Sequence, residues 1–207
     1  MAHLRASIEQ NDELPSPNDQ GMNQFQSGLC HVRTLTSGRQ KMQSERMDME
    51  EKILGRVASL HLHSEQSGES MQDVFTMELI TGKGIAGNPR YSKRPTRRQV
   101  TLIEREILEE HAAILGLDEF LPGRARSNIE TTGVWFRELI GKRVRIGSSA
   151  VLYLYEARIP CHKMDALAKG LRRLMEGGKQ GVLAQVVTSG VIQTGDTITL
   201  ANLNAVQ

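Results

Sequence analysis

Apolar and polar positions change their spacing several times along the chain, and each change predicts an element. From Lys52 to His63 the run Ile-Leu-Gly-Arg-Val-Ala-Ser-Leu-His-Leu alternates with a period of two, which is the pattern of a half-buried strand. A loop over residues 64–70 leads to a second predicted strand, Val74–Ile80, and a third is predicted over Gln99–Ile103. From Glu104 to Leu117 the spacing lengthens to that of a helix. Ile107, Leu108, Ile114 and Leu115 form its apolar stripe, Gly116 stands near its end, and Glu104, Glu106, Glu109 and Glu110 form a solvated acidic face. Arg126 and Asn128 then alternate toward one side of an extended segment, and Val134–Ile140 reads as a short helical turn ending at Gly141. Val144–Tyr155 predicts a hairpin that turns at Gly147-Ser148, and Pro160 stops its second strand. A second helix is predicted over Leu167–Met175, closed by Gly177-Gly178. Final strands at Gly181–Val187 and Asp196–Leu200 are joined by the turn-rich pairs Ser189-Gly190 and Thr194-Gly195. Many short strands with two helices predict a mainly β protein, a closed or nearly closed barrel with helical insertions.

Residues 1–50 lack this periodicity. They are rich in Gln, Asn, Ser, Met and Asp, and such a segment buries too little apolar surface to offset its ordering entropy. The expectation is a disordered or weakly ordered extension over 1–50, joined to one domain over 51–207. The first residues lack an apolar stretch of the secretory kind and carry Glu9, Asp12, Glu13 and Asp19, so a cytoplasmic protein with reduced cysteines is expected.

Composition narrows the function classes. A net charge of +2 means that any anion site is local rather than a property of the whole chain. Aromatic residues at 4% are too few to suggest a base-stacking nucleic-acid module, and no apolar run is long enough to span a membrane. Two cysteines, Cys30 and Cys161, exclude both a multi-bridge disulfide framework and a four-cysteine zinc site. His61 and His63 share a face of the first strand. No third ligand is placed beside them, so they are expected to be surface residues rather than a metal pair.

Two segments carry candidate anion chemistry. Thr81-Gly-Lys-Gly-Ile-Ala-Gly-Asn-Pro-Arg-Tyr91 frees the backbone to approach a ligand. It is neither a dinucleotide fingerprint nor a P-loop: Pro89 blocks the helix start, and there is no Gly-Lys-Ser/Thr. The cations Lys93, Arg94, Arg97 and Arg98 suit either a solvated loop or a phosphate cradle. Cys161 is the single best candidate for chemistry. Arg158, His162 and Lys163 surround it in sequence, and a predicted helix comes next, both of which favour thiolate. The alternative is a buried cysteine acting as a small hydrophobe.

In order and spacing, the elements Gly82-Lys-Gly-Ile-Ala-Gly, Arg98-Gln-Val-Thr-Leu-Ile, Arg126-Ser-Asn-Ile-Glu-Thr-Thr-Gly, Gly141-Lys-Arg-Val-Arg-Ile-Gly, Pro160-Cys161 and Gly195-Asp-Thr-Ile-Thr-Leu resemble the MOSC domain, the family named for the C-terminal domain of molybdenum-cofactor sulfurases. The likeness runs from about residue 53 to 200. It implies a MOSC-type β-barrel that binds molybdenum cofactor, with Cys161 as a metal ligand in reductase members or as a sulfur carrier in others. It places Lys83, Gly84, Gly87, Asn88, Arg90, Arg126 and Asn128 near the cofactor. One departure stands out: where the family's glycine loop usually continues with Asp then Arg, this chain has Asn88-Pro89-Arg90, so a carboxylate is lost. Pyridoxal phosphate is not expected to bind this chain, and neither nucleic acid nor a membrane is an expected partner. The likeness leaves three functions as expectations. The first is a reductase of N-hydroxylated compounds served by a separate electron-donor reductase. The second is a carrier holding a persulfide on Cys161 for a cysteine desulfurase, and the third is a non-catalytic binding barrel.

Overall fold

The structure, a computed structural model, describes residues 52–66, 69–89 and 97–201; the predicted extension over 1–50, Cys30 and Arg90 lie outside them. The strands are β1 (Ile53–Leu62), β2 (Gln72–Val74), β3 (Thr76–Ile80), β4 (Gly84–Ile85), β5 (Val100–Glu104), β6 (Ile129–Thr132), β7 (Arg143–Ile146), β8 (Ala150–Ala157), β9 (Val182–Thr188), β10 (Gly190–Gln193) and β11 (Thr197–Leu200). Among the described residues, two helices join them, α1 (Arg105–Leu115) and the single turn α2 (Leu171–Leu174), together with a 3-10 turn at Phe136–Leu139. Seven strands close a barrel in the order β11-β7-β8-β9-β5-β6-β1, with β1 returning to β11; β2 hangs from β1, and β10, β3 and β4 form a separate sheet.

Alternation accounts for the barrel. Val57 and Leu60 of β1 meet Val144 and Ile146 of β7, Leu152 and Leu154 of β8, and Val182, Ala184 and Val186 of β9 in one apolar interior. β5 is the exception, because all five of its residues are buried. Val100 and Leu102 enter the barrel core, whereas Ile103 belongs to a second cluster outside it, with Leu108, Ala112, Phe120, Met164, Leu171 and Met175. A strand covered on both faces loses the alternation and becomes a continuous apolar run. β5 and β6 are parallel and are joined through α1, as a parallel pair requires. Where β9 begins, Gly181 takes φ +79, and a Cβ there would overlap the carbonyl of Leu102 on β5. Glycine at that position lets the two strands close.

Several sequence expectations are revised. The predicted strand Val74–Ile80 breaks at Phe75: its first part pairs with β1 and its second with β10. The link between the last two predicted strands is itself a strand, β10, rather than a turn. The predicted helix 167–175 is reduced to α2, because Gly170 adopts the left-handed φ of 91° and interrupts it. On α1 the buried face is Leu108, His111 and Ala112, while Ile114 is exposed. Glu104, expected on a solvated face, is buried at the junction of β5 and α1. His61 and His63, expected at the surface, are buried as well.

Candidate functional site

Two irregular segments and the ends of β1, β5, β8 and β9 border a cleft of about 490 Å³ whose wall includes His63, Arg98, Arg126, Arg158, Cys161 and Lys163, with Glu156 as its acid. Cys161 is an exposed free thiol, so the alternative of a core cysteine is overturned. The residues after it form successive turns rather than a helix. Met164 N donates to Cys161 O at 2.9 Å, Asp165 N to His162 O at 3.2 Å and Leu167 N to Met164 O at 3.0 Å. The helix N-terminus anticipated beside the thiol is therefore not there.

Arg126 is the one non-glycine residue among those described with a positive φ, 57°. Such a backbone persists only when its surroundings over-determine it, and here Arg158 does so. Arg158 is 7% exposed, and its guanidinium donates to Ser127 Oγ at 2.5 Å, Gln180 O at 3.3 Å and Arg126 O at 3.3 Å. Arg126 itself donates through Nη1 to the Glu69 carbonyl at 2.9 Å. The extended path expected for Arg126 is thus a left-handed turn, and only from Ile129 onward is the segment a strand.

Asn128 lies behind the wall. Its Oδ1 accepts from Thr101 N at 3.2 Å and Thr101 Oγ1 at 2.9 Å, which fixes the amide orientation. Its Nδ2 then donates to His61 O at 3.1 Å and to His63 Nδ1 at 3.3 Å. A neutral His63 accordingly carries its proton on Nε2. Beneath the same strand, His61 places Nδ1 2.7 Å from Asp73 Oδ1 and Nε2 2.9 Å from Ser59 Oγ. Glu130 completes this layer by accepting from Arg105 at 3.1 Å and from Gly123 N at 2.8 Å.

The glycine segment is a hairpin turn rather than an open cradle. Lys83 N donates to Ile80 O at 3.0 Å, and Gln99 Nε2 ties Gly82 O down at 3.0 Å. Lys83 and Gly84 do not line the cleft: Lys83 is exposed and Gly84 is buried against Gln99. Gly87 borders a neighbouring cavity of about 510 Å³ that shares His63 with the cleft, and Asn88 is buried beside it. The structure thus brings Cys161 and Arg126 together, sets Gly87 on the adjoining cavity, and leaves Asn128 as a support. At the edge of the cationic stretch, Arg97 lies over the Tyr155 ring, 4.3 Å from its centroid. Burial, then the charge of Glu156, pushes the Tyr155 hydroxyl above its ordinary range.

A profile of the MOSC domain matches residues 51–199. The chain belongs to the MOSC domain family. None of the curated proteins compared with it matches. Among solved structures it is similar to the YUAD protein from Bacillus subtilis, with a TM-score of 0.60 at 22% identity over 70% of this chain and 94% of that one. It is also similar to YiiM from Escherichia coli, with a TM-score of 0.54 at 21% identity over 71% of this chain and 70% of that one. YiiM from Geobacillus stearothermophilus matches with a TM-score of 0.53 at 17% identity, over 74% and 76% of the two chains. These likenesses establish the MOSC fold, a mostly β architecture around the closed barrel. Among the described residues, no helix is long and apolar enough to cross a membrane.

Sequence reasoning noted Arg98, Arg158 and Lys163 only as local charge, and missed His63, Glu156 and Gln180 as neighbours of the thiol. No spacing signal marks them, because the cleft is assembled from segments far apart in the chain. The short pair Arg158 and Cys161 was the one local cue.

Proposed function

We propose that this MOSC domain binds molybdenum cofactor in the cleft, with Cys161 as a metal ligand, and reduces N-hydroxylated compounds. The observation that carries this reading is an exposed thiol on a wall that gathers Arg98, Arg126, Arg158 and Lys163. The donor set fits the group. A thiolate is a soft ligand suited to a molybdenum centre, and guanidinium groups suit the phosphate of the pterin. When bound, the cofactor would supply the two-electron chemistry.

The chain's own part is placement. Cys161 holds its sulfur in the open cleft, and Arg126 reaches the anion from a backbone that Arg158 keeps in position. His63 stands in the cleft wall with its ring oriented by Asn128. Electrons come from a separate reductase in this reading, since the sequence carries no flavin, haem or iron–sulfur signature. The exposure of Cys161 also suits a second reading, a carrier that receives a persulfide from a cysteine desulfurase.

Metal and pterin analysis of protein purified from a cofactor-competent host tests the proposal. We expect molybdenum and pterin to co-purify with the chain. Cys161→Ser, a change at an exposed position, is expected to fold and to lose metal and N-hydroxyl reduction almost completely. A fully active Cys161→Ser protein overturns the reading. A metal-free wild type that accepts a persulfide on Cys161 replaces it with the carrier.

A further inference from the structure

The polar groups on the cleft wall are not all of one kind. Arg98, Arg126, Arg158 and Lys163 can only donate hydrogen bonds, and an anion answers them. Two other side chains on the same wall offer oxygens that an anion cannot answer. Glu156 is the acid there, and among the described residues no cation closes on its carboxylate to form an ion pair and no donor bonds to it. A β-bulge sets it in this place. Strand alternation would turn Glu156 inward with Leu152 and Leu154, but the register of β8 against β9 shifts between Leu154 and Glu156, and Glu156 is exposed. A bulge of this kind re-aims a side chain. The second is Gln180, which is 3% exposed. Its Nε2 donates to Met164 Sδ at 3.3 Å, and among the described residues no donor reaches its Oε1. A buried acceptor without a donor destabilises the fold until something supplies an N–H or O–H.

We infer that Glu156 and Gln180 receive a protonated nitrogen of the ligand, so that the cleft takes molecules bearing both an anionic group and an ammonium or amidinium group. The anion lies against Arg98, Arg126 and Lys163, and the nitrogen donates to Glu156. A simple anion satisfies the cations alone. The inference rests on reading the cleft as a ligand site, as proposed above, but not on molybdenum.

The probes are aminoethyl phosphate and propyl phosphate, which share a phosphate and a chain length and differ in a terminal ammonium against a methyl group. Both are titrated by calorimetry, at neutral pH, into the full chain from a host that makes no molybdenum cofactor. We expect both to bind, the aminoethyl ester about tenfold more tightly, the effect of one charge-assisted hydrogen bond. Glu156→Gln should remove this preference, leave propyl phosphate binding no weaker and leave the melting temperature unchanged. Gln180→Met keeps the side chain's length and the backbone bond to Arg158, and should take away part of the preference. Equal affinity for the two esters in the wild type, or a preference that survives Glu156→Gln, overturns the inference and leaves the cleft as an anion site. A preference that Gln180→Met leaves whole overturns the part given to Gln180. Binding of neither ester overturns the inference together with the anion site. Molybdenum content enters none of these results, so the loss of the cofactor proposal is told apart from the loss of this one.

Discussion

Asn128 shows how much one side chain can settle. Family likeness sets it beside the cofactor, but its amide is consumed by Thr101, the His61 carbonyl and His63. It therefore acts on the site through His63. Replacing it with Ala leaves several buried groups unpaired, which costs about 1–3 kcal/mol for each unsatisfied group. Asn128→Ala is expected to lower stability in urea denaturation by about 2–4 kcal/mol. Orthophosphate affinity should be retained while the protein remains folded. A stable Asn128→Ala protein that has lost phosphate binding would return Asn128 to direct contact.

Among the elements, the β5–α1 junction is where pH should act. Glu104 Oε1 accepts from Phe136 N at 2.9 Å and Glu106 Oε1 accepts from Gly133 N at 2.6 Å, so two carboxylates hold the loop that precedes the 3-10 turn. Burial raises the Glu104 pKa from 4.5 to about 7, against the two backbone hydrogen bonds that lower it, and Glu106 adds to the rise. The folded state thus holds a proton that the unfolded state has released. Stability from this group is complete below pH 4.5 and declines as pH rises toward 7. Glu104→Gln removes the ionisation and keeps an acceptor for Phe136. It is expected to raise stability at pH 8 relative to pH 5, by up to about 3 kcal/mol, as followed by thermal melts at the two pH values. An equal effect at both would show that Glu104 does not titrate in this window. His111 on α1 has the opposite slope. It is fully buried. Burial lowers its pKa from the ordinary 6.5, with Lys179 assisting and with Glu110 and the Leu174 backbone opposing. Its share of stability is present above pH 6.5 and is lost as pH falls from there toward the lowered folded value. Comparing Glu104→Gln with the wild type keeps this contribution constant.

For the molecule as a whole, the barrel closes on itself and its interior is filled by residues from Val57 onward. Among the described residues, Leu54 packs against that interior as well. We expect a chain lacking residues 1–50 to melt within about 2 °C of the full-length protein, the shift that well under 1 kcal/mol would produce. A drop of many degrees in calorimetry would show that the extension contributes to the domain.

The β-rich class, most of the strands, the position of α1, the hairpin of β7 and β8, and the family could all be read from the chain alone. Period-two alternation is local, and a strand with one wet face displays it directly. Cys161 and Arg126 were legible as well, through local charge and through motif order. Features that depend on distant partners emerged only once the chain was folded. β10 became a strand because β3 lies beside it, His61 on β1 and His63 just past its end were buried with Asp73 and Asn128 as partners, and the Leu167–Met175 helix shrank at Gly170. The cleft itself is a tertiary object. Residues as far apart in the chain as His63, Arg98, Arg126 and Cys161 share a wall because barrel closure carries the ends of their segments to one place, and no spacing within a single stretch of sequence encodes that meeting.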